Sequence, residues 1–402
     1  MNEASSRVLY LHPAAAFGGA SKSLIELFTE LRKLGVQGTV LTPEGPVCAA
    51  FAESGMAVRT VRGLSQFDNT RFSHYRGMRW IILLREIFLL PFSLSAIWRL
   101  RKEQFDLLHV NEVTLLPLAI FAKWLFQVPM VVHVRSLQRA PEAGVRTRMI
   151  NAWLRRNAEA VVAIDHSVAG TLPCDLPLHI VHNSLSIISA PQGHSLRSAG
   201  GPVRVGFLGV LIPLKGVYEL VEAMRILRSR KVNIECLIAG ENAREITGFK
   251  AWALRKLGFV DDVRANLERL IKDYELHDQI RLLGFVGDVR VVYPRLDILC
   301  FPSHLDAAGR PVFEAAFYSI PSVVAVANPV QDAVLHEVTG LAVPRPDPNM
   351  LADALQRLAE DSDFRLKLGR QAREWAEENF AIEANAKLMQ QIYQRLLSKS
   401  LK

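Results

Sequence analysis

The chain is poor in cysteine, with four in 402 residues. They are scattered, without a CxxC pair or the His/Cys spacing of a metal site, at Cys48, Cys174, Cys236 and Cys300. This pattern predicts reduced, mostly buried thiols of a cytoplasmic protein. A GxGxxG run after the first apolar segment is also missing, and GGASKS near the amino terminus departs from P-loop spacing. Nicotinamide, flavin and P-loop enzymes are therefore disfavoured.

Long uninterrupted apolar runs are missing too. The opening residues lack the apolar stretch of a secretory signal. The most apolar segment, WIILLREIFLLPFSLSAIW, is broken by Arg85, Glu86 and Pro91, so it does not predict a transmembrane span. Its surroundings are basic, with Arg71, Arg76, Arg79, Arg85, Arg99, Arg101 and Lys102. Two interpretations stay open: a monotopic contact with anionic lipid, or a buried helix pair capped by surface arginines.

The net charge of +8 favours an anionic partner. Nucleic acid is disfavoured, because no RNP1-like run occurs and the basic residues are not interleaved with stacking aromatics. Phosphorylated substrates and an anionic membrane surface remain as candidate partners. A length of 402 residues with 50% hydrophobic content predicts two globular domains.

Short apolar, β-branched runs alternate with helical patterns in both halves of the chain. In the first half the predicted strands are Val8–Leu11, Thr39–Leu41, Val58–Val61, Leu107–Val110, Met130–Val134 and Val161–Ile164. In the second half they are Val203–Leu208, Ile234–Ala239, Ile280–Leu283, Ile298–Phe301 and Ser322–Ala325. Continuous apolar strands separated by helices indicate parallel sheets covered on both faces. The fold class is therefore α/β, with two doubly wound domains.

Composition marks the domain boundaries. Residues 186–202 are rich in Ser, Gly and Pro and predict a linker between domains at 1–185 and 203–375. The helical tail, with a last helix at 376–402, is expected to pack back on the first domain. Residues 241–277 predict an inserted helical hairpin. Asp261 and Asp262 fall in it and are expected to be solvated rather than to bind metal.

The second domain opens with a strand, a loop and a helix. Gly209 follows the strand, Lys215 and Gly216 end the loop, and Val217 begins an amphipathic helix. Backbone N–H groups at a helix start favour an anion, and Lys215 adds a full charge. A solvated loop lysine is the alternative.

A pair of acids follows a later strand. Asp306 precedes Glu314 by eight positions, and a helix is predicted to start near Pro311. Carboxylates at the carboxyl end of a parallel strand lie where open α/β sheets bind ligands, and they accept hydrogen bonds from sugar hydroxyls. Spacing alone also allows two acids that only cap the helix.

These motifs, in this order, resemble glycosyltransferase family 4, the retaining group 1 enzymes of GT-B fold, over nearly the whole chain. The matching positions are Gly18-Gly19, Asn183, Lys215-Gly216, Asp306, Glu314, Pro321, Asp332 and Thr339-Gly340-Leu341. The resemblance implies two Rossmann-like domains with the active site in the cleft between them. It also implies a nucleotide-sugar donor in the second domain and an acceptor on the first.

The resemblance also implies roles for single residues. Lys215 would neutralise the donor diphosphate, and Glu314 would hold the ribose hydroxyls. Asp306, with the backbone around Ala307–Gly309, would grip the sugar near the reacting face, and Asp306, His133 and Lys215 form the expected catalytic set. Further contacts with donor or sugar would come from Gly18, Gly19, Gly209, Arg310 and His133. No metal and no cofactor are expected, since the nucleotide-sugar is a substrate. A buried, backbone-satisfied His133 is the alternative for that residue.

Three departures from the family pattern bear on activity. Val210 replaces the usual arginine, Asp306 is one methylene shorter than the usual glutamate, and Ser184 replaces a glycine. An arginine binds a phosphate through two parallel hydrogen bonds, and a lysine cannot replace this bidentate contact. Arg310, Arg135 and Arg204 are the candidates to compensate.

The sequence therefore predicts a retaining hexosyltransferase acting on a glycan or lipid-linked acceptor in surface polysaccharide or glycolipid synthesis. We expect it in the cytoplasm, and at the inner face of the cell membrane if residues 71–102 contact lipid. Two alternatives stay open. One is a degenerate GT-B scaffold without activity, motivated by Val210. The other is a GT-B nucleotide-sugar epimerase, which would release an epimer of the free donor.

Overall fold

The structure is a computed structural model. It describes residues 6–71, 81–140, 144–183, 201–242, 262–305, 309–326, 332, 334–344 and 347–400. The chain forms two compact units: unit 1, Met1–Ser186 with Phe380–Lys402, and unit 2, Ile187–Asn379. Most of the predicted linker and residues 243–261 of the predicted insertion lie outside the described residues.

Unit 1 is built on a parallel sheet of seven strands in the order β3-β2-β1-β4-β5-β6-β7. The strands are β1 Ser6–Leu11, β2 Val36–Pro43, β3 Ala57–Val61, β4 Leu107–Val110, β5 Met130–Val134, β6 Ala160–Ala163 and β7 Leu178–Ile180. The helices are α1 Gly19–Lys33, α2 Val47–Glu53, α3 Ile82–Arg99, α4 Leu116–Phe126, α5 Val145–Asn157 and α6 His166–Ala169. The strands β4, β5 and β6 are buried along their whole length, which explains their continuous apolar sequences.

Unit 2 has a parallel sheet of six strands in the order β10-β9-β8-β11-β12-β13. The strands are β8 Val203–Leu208, β9 Ile234–Ala239, β10 Ile280–Gly284, β11 Ile298–Phe301, β12 Ser322–Ala325 and β13 Gly340–Val343. The helices are α7 Val217–Ser229, α8 Val263–Asp273, α9 Arg310–Phe317, α10 Pro348–Glu360 and α11 Ser362–Phe380. The sequence-based fold class is confirmed: the chain is α/β, with two doubly wound parallel sheets.

The last helix, α12 Ile382–Ser400, belongs to unit 1. It contacts α1 through a buried apolar stripe at helical spacing, formed by Ala386, Met389, Ile392, Tyr393 and Leu396. The last helix thus begins at Ile382 rather than at the predicted residue 376, and Ala381 separates it from α11.

Helix α3 carries the most apolar segment of the chain, and much of that apolar surface faces outward. Only Glu86, Leu89, Ser93 and Ile97 of this helix are buried. Exposed large side chains run along its other side, namely Leu84, Ile87, Phe88, Leu90, Phe92 and Trp98, with Ile81 just before it. The interpretation of a buried helix pair is therefore wrong for α3. None of the described helices is both long and apolar enough to cross a membrane.

Three smaller expectations need correction. Cys236 and Cys300 are buried, but Cys174 is exposed, so the thiols are not mostly hidden. Asp262 is not simply solvated, because it caps α8 by accepting a hydrogen bond from the N–H of Ala265 at 3.1 Å. The strands β7 and β13 were missed.

Candidate functional site

The strand order of unit 2 reverses between β8 and β11, which lie side by side. The loops that follow these two strands leave the same edge of the sheet and touch each other. The N–H of His304 donates to the carbonyl of Leu214 at 2.9 Å. Gly216 has φ +73°, and a Cβ there would lie 1.8 Å from the Pro302 carbonyl oxygen. Glycine is therefore required at position 216. This contact lies at the carboxyl edge of the sheet, which is where open α/β sheets bind ligands.

Lys215 stands in this loop just before the start of α7. Its Nζ lies 4.8 Å from the centroid of the Phe301 ring, and burial lowers its pKa. Among the described residues it has no carboxylate partner. A half-buried ammonium held over an aromatic face at a helix start is an incomplete charge arrangement that an anion completes.

Gly309 lies against the same aromatic ring, where a side chain would not fit. A Cβ at this position would lie 2.3 Å from the tip of Phe301. Gly309 precedes α9, in which Pro311 occupies the first turn as the sequence predicts. The preceding residues 306–308, including the predicted catalytic Asp306, lie outside the described residues.

Glu314 lies in α9 with its carboxylate already engaged. One oxygen accepts from Arg310 Nε at 2.8 Å, and the other accepts from the Tyr293 hydroxyl at 2.6 Å. The Glu314 side chain is only 12% exposed. Burial, reinforced by the Glu314 charge, raises the pKa of Tyr293, so the phenol stays a donor. These partners fix the carboxylate in one orientation.

A second pair in the same place escaped the sequence-based prediction. His304, which follows Pro302 and Ser303, contacts Glu219 with 2.8 Å between Nε2 and Oε1. Glu219 lies in the first turn of α7, four positions after Lys215. Its other oxygen is buried and has no partner among the described residues. Only the position of His304 directly after a strand that ends at this edge hinted at a role.

The candidates for replacing the arginine missing at Val210 are all occupied or misplaced. Arg204 lies near the amino end of β8, roughly 13 Å along the strand from Leu208, and pairs with Glu235 at 2.5 Å. Arg310 holds Glu314. Val210 itself is an exposed apolar residue in the loop. Neither Arg204 nor Arg310 thus replaces the usual clamp.

In unit 1, Gly18 and Gly19 open α1 after the carboxyl end of β1. Gly18 is extended, with φ −153°, and offers no side chain to cap the helix. A Cβ at either glycine would meet no described residue within 4 Å. Packing among the described residues therefore does not demand glycine here. A close-approaching ligand, as the sequence analysis expects, would demand it.

His133 lies inside the sheet of unit 1, near the end of β5. It is 2% exposed, and its ring lies 5.4 Å from that of His109. Burial, helped by nearby Arg135, holds its pKa well below the usual range, so the imidazole is neutral. Its Nε2 has no partner among the described residues, so it is not satisfied by backbone. Contact with a sugar stays a prediction, and this burial counts against it.

Arg135 ties the carboxyl ends of three elements of unit 1 together. It donates to Asn111 Oδ1 at 2.8 Å and to Asn183 Oδ1 at 2.7 Å. Asn111 reaches His12 at 2.9 Å, and His12 reaches Ser21 in the first turn of α1 at 3.0 Å. Arg135 is therefore a structural clamp of unit 1. Of the residues in this hydrogen-bond network, the sequence analysis singled out Asn183, as a family position, and Arg135, as a candidate to replace the missing arginine.

Glu112, next to Asn111, is buried beside this network. It accepts hydrogen bonds from the Ser136 hydroxyl and from the N–H of Val113, both at 2.8 Å. Burial, only partly offset by these hydrogen bonds, raises its pKa to about 7. Unit 1 thus carries a carboxyl group that titrates near neutral pH at the edge where β1 and β4 meet.

Comparison with known proteins matches both halves of the chain. The model of glycosyl transferases group 1 matches residues 193–375, and that of the glycosyl transferase 4-like domain matches residues 18–175. In Staphylococcus aureus, the capsular polysaccharide biosynthesis glycosyltransferase CapM is 22% identical over 49% of this chain and 47% of that protein. In Rhizobium leguminosarum, the lipopolysaccharide core biosynthesis mannosyltransferase LpcC is 23% identical over 72% of this chain and 78% of that protein.

The fold also matches solved structures. Anabaena HepE, in complex with UDP and glucose, superposes with a TM-score of 0.75 at 18% identity. The match covers 96% of this chain and 99% of HepE. At 18% sequence identity, this match is evidence for a shared fold alone.

Proposed function

Because this chain belongs to the group 1 glycosyltransferases of family 4, with the GT-B fold, we propose that it transfers a sugar from a nucleotide-sugar with retention of anomeric configuration. The donor binds in unit 2, where the loops after β8 and β11 meet. The acceptor is a glycan or a lipid-linked sugar of surface polysaccharide or glycolipid synthesis. The names of CapM and LpcC support this class of acceptor.

The observation that carries the proposal is Lys215, half-buried over Phe301 with its pKa lowered by burial. When the bond between the anomeric carbon and the diphosphate breaks, the electron pair leaves with the diphosphate oxygen. A preorganised cation at that oxygen stabilises the developing charge. Lys215 and the start of α7 supply this stabilisation from the chain itself. HepE, which shares the fold, has been solved in complex with UDP, and this supports a nucleotide as part of the donor.

Glu314 fits the ribose of the nucleotide. Arg310 and Tyr293 hold its two oxygens in place, and a carboxylate oriented in this way accepts hydrogen bonds from ribose hydroxyls. Asp306 would grip the transferred sugar. The family resemblance also implies donor or sugar contacts for Gly18, Gly19 and His133, although the burial of His133 counts against its contact.

The exposed side of α3 supports a peripheral membrane position. Its apolar side chains are flanked by cations: Arg62 lies over Phe88 at 5.6 Å, and Arg101 lies over Trp98 at 5.0 Å. Apolar side chains among cations are what an anionic bilayer surface accepts. Such a contact would bring unit 1 to a lipid-linked acceptor.

Liposome co-sedimentation tests this position. We expect binding to vesicles with anionic lipid, weakening as salt rises, and little binding to neutral vesicles. Replacing Arg76, Arg79 and Arg85 together by Glu should abolish it; the first two lie outside the described residues. Equal binding to both vesicle types would indicate a purely apolar contact, and binding to neither would remove the support for a lipid-linked acceptor.

The degenerate scaffold remains the second candidate, because neither Arg204 nor Arg310 substitutes for the arginine missing at Val210. Calorimetry with UDP, GDP and ADP separates the two. A transferase binds at least one of them, and Lys215→Ala weakens that binding. A protein that binds none while folding normally would be a scaffold.

A further inference from the structure

Unit 1 has a groove at the amino edge of its sheet, the edge opposite to the one that carries Arg135 and Glu112. It lies where β5 begins, between α4, α5 and α12, and has a volume of about 900 Å³. Its lining includes Trp124, Trp153, Lys123, Arg156 and Lys399. The size falls within the range of ligand pockets, about 300–1,000 Å³, and nothing in the proposed transfer reaction uses it.

Two indoles form its aromatic part. Trp153 is half-buried and packs on Phe67, with ring centroids 6.3 Å apart. Trp124 is 63% exposed, although Phe121 supports it from one side at 5.9 Å. Gln127 ends α4 in the left-handed conformation, with φ 53°, and its side-chain amide donates to the Trp124 carbonyl at 2.5 Å. A supported but uncovered indole is a surface that a ligand with an apolar face can cover.

The charges of the groove are unbalanced. Lys123 Nζ donates to Glu159 Oε1 at 2.5 Å, and Glu159 Oε2 accepts from the N–H of Met130 at 2.8 Å. Lys123 and Glu159 therefore neutralise each other within the wall of the groove. Arg156 and Lys399 are both exposed and have no partner among the described residues. Two positive charges therefore remain in the groove.

The adjacent arginine shows that pairing is possible on the same helix. Arg155 binds both oxygens of Asp175, at 2.6 and 3.0 Å. Arg156, the next residue, points into the groove lining and has no such acid. The chain neutralises one arginine of α5 and leaves the other for an outside anion.

We propose that this groove is a binding site for anionic saccharides, separate from the transfer site. The C–H face of a sugar ring covers the Trp124 indole, and carboxylate or sulfate groups of the same chain bind Arg156 and Lys399. Binding a polymer here raises the effective concentration of its other segments near the enzyme. A lipid surface fits less well, because the aromatic and cationic groups line a hollow rather than a projecting face.

Isothermal titration of the full chain tests the proposal. The probes are hexagalacturonate and a heparin hexasaccharide, with maltohexaose as the neutral match. We expect at least one anionic probe to bind at least tenfold more tightly than maltohexaose, with an affinity that falls as salt rises. Trp124→Ala and the double variant Arg156→Glu, Lys399→Glu should each weaken this binding at least tenfold.

Trp98→Ala is the matched control, because Trp98 is 46% exposed and lies under Arg101 but belongs to α3. It should bind the anionic probe as the wild type does. UDP titration of every variant reports on the donor site separately. A lack of saccharide binding in the groove therefore does not contradict the proposed transferase activity. Absent binding of both anionic probes, or unchanged binding by Trp124→Ala, overturns the proposal. So does a dimer that sedimentation shows to dissociate on Trp124→Ala, which would make the groove a subunit interface.

Discussion

Lys215 gives the sharpest single-residue prediction, because the structure sets opposite signs for its effects on stability and on binding. In the free protein its ammonium is half-buried without a carboxylate partner among the described residues, and burial lowers its pKa. The folded state therefore holds this proton less tightly than the unfolded chain. The resulting cost to stability is fully present below the lowered pKa and disappears as pH rises to the ordinary lysine value of 10.5.

Lys215→Met keeps most of the aliphatic stem and removes the charge. At pH 7 the free variant should be as stable as the wild type or slightly more so, since the contact with Phe301 offsets only part of the burial cost. Nucleoside-diphosphate binding should weaken, because a charge-assisted hydrogen bond contributes about 1.5–3 kcal/mol. This corresponds to a roughly 10- to 100-fold larger Kd.

Calorimetric titration with UDP, GDP and ADP and thermal unfolding of the same samples measure both effects. Lys272→Met is the matched control. Lys272 lies exposed in the last turn of α8, which precedes β10 and so ends near the opposite edge of the sheet. An unchanged Kd for Lys215→Met would refute its role at the diphosphate. A large loss of stability would show that the residue is structural.

Three further predictions concern other residues. Glu314→Gln should weaken nucleotide binding by about tenfold, measured by the same titration, and should also lower the melting temperature, because it removes the charged partner of the partly buried Arg310; wild-type nucleotide affinity would make the motif structural only. Gly216→Ala should lower the melting temperature by several degrees, because its left-handed φ costs about 1–2 kcal/mol and its Cβ would meet Pro302. Gly18→Ala should leave that temperature unchanged, and equal losses would contradict the packing argument. Glu112→Gln should flatten the pH dependence of stability between about pH 4.5 and 7. The raised pKa of Glu112 makes the wild type lose stability as pH rises through that window, and glutamine does not titrate. Urea unfolding across this range measures the effect, and the same dependence of unfolding free energy on pH in both proteins would contradict it.

Strands and strand-end residues could be predicted from the sequence because their signals are local. Val203–Leu208 and Met130–Val134 are continuous apolar runs, and the structure has strands at these residues. The rule that ligand-binding residues follow parallel strands then placed Lys215 and Glu314 at one edge of unit 2. β7 was missed because it has only three residues with His179 in the middle, and β13 because it begins with glycine.

Contacts between distant residues could not be predicted in this way. His304 and Glu219 are 85 positions apart, and neither belongs to a recognisable pattern. The chain from Ser21 through His12 to Arg135 likewise depends on which strands are neighbours. For α3, composition revealed an apolar segment, but only its packing in unit 1 decided that Leu84 and its neighbours face outward.

The central claim is that unit 2 binds a nucleotide-sugar whose sugar is transferred with retention. A panel of UDP-, GDP- and ADP-sugars, followed by NMR of the anomeric proton during slow donor hydrolysis, tests it most directly. We predict that at least one donor is consumed, that the sugar first appears with the anomeric configuration of the donor, and that Lys215→Met slows this reaction. Release of the inverted anomer, or the absence of both binding and turnover across the panel, would contradict the account.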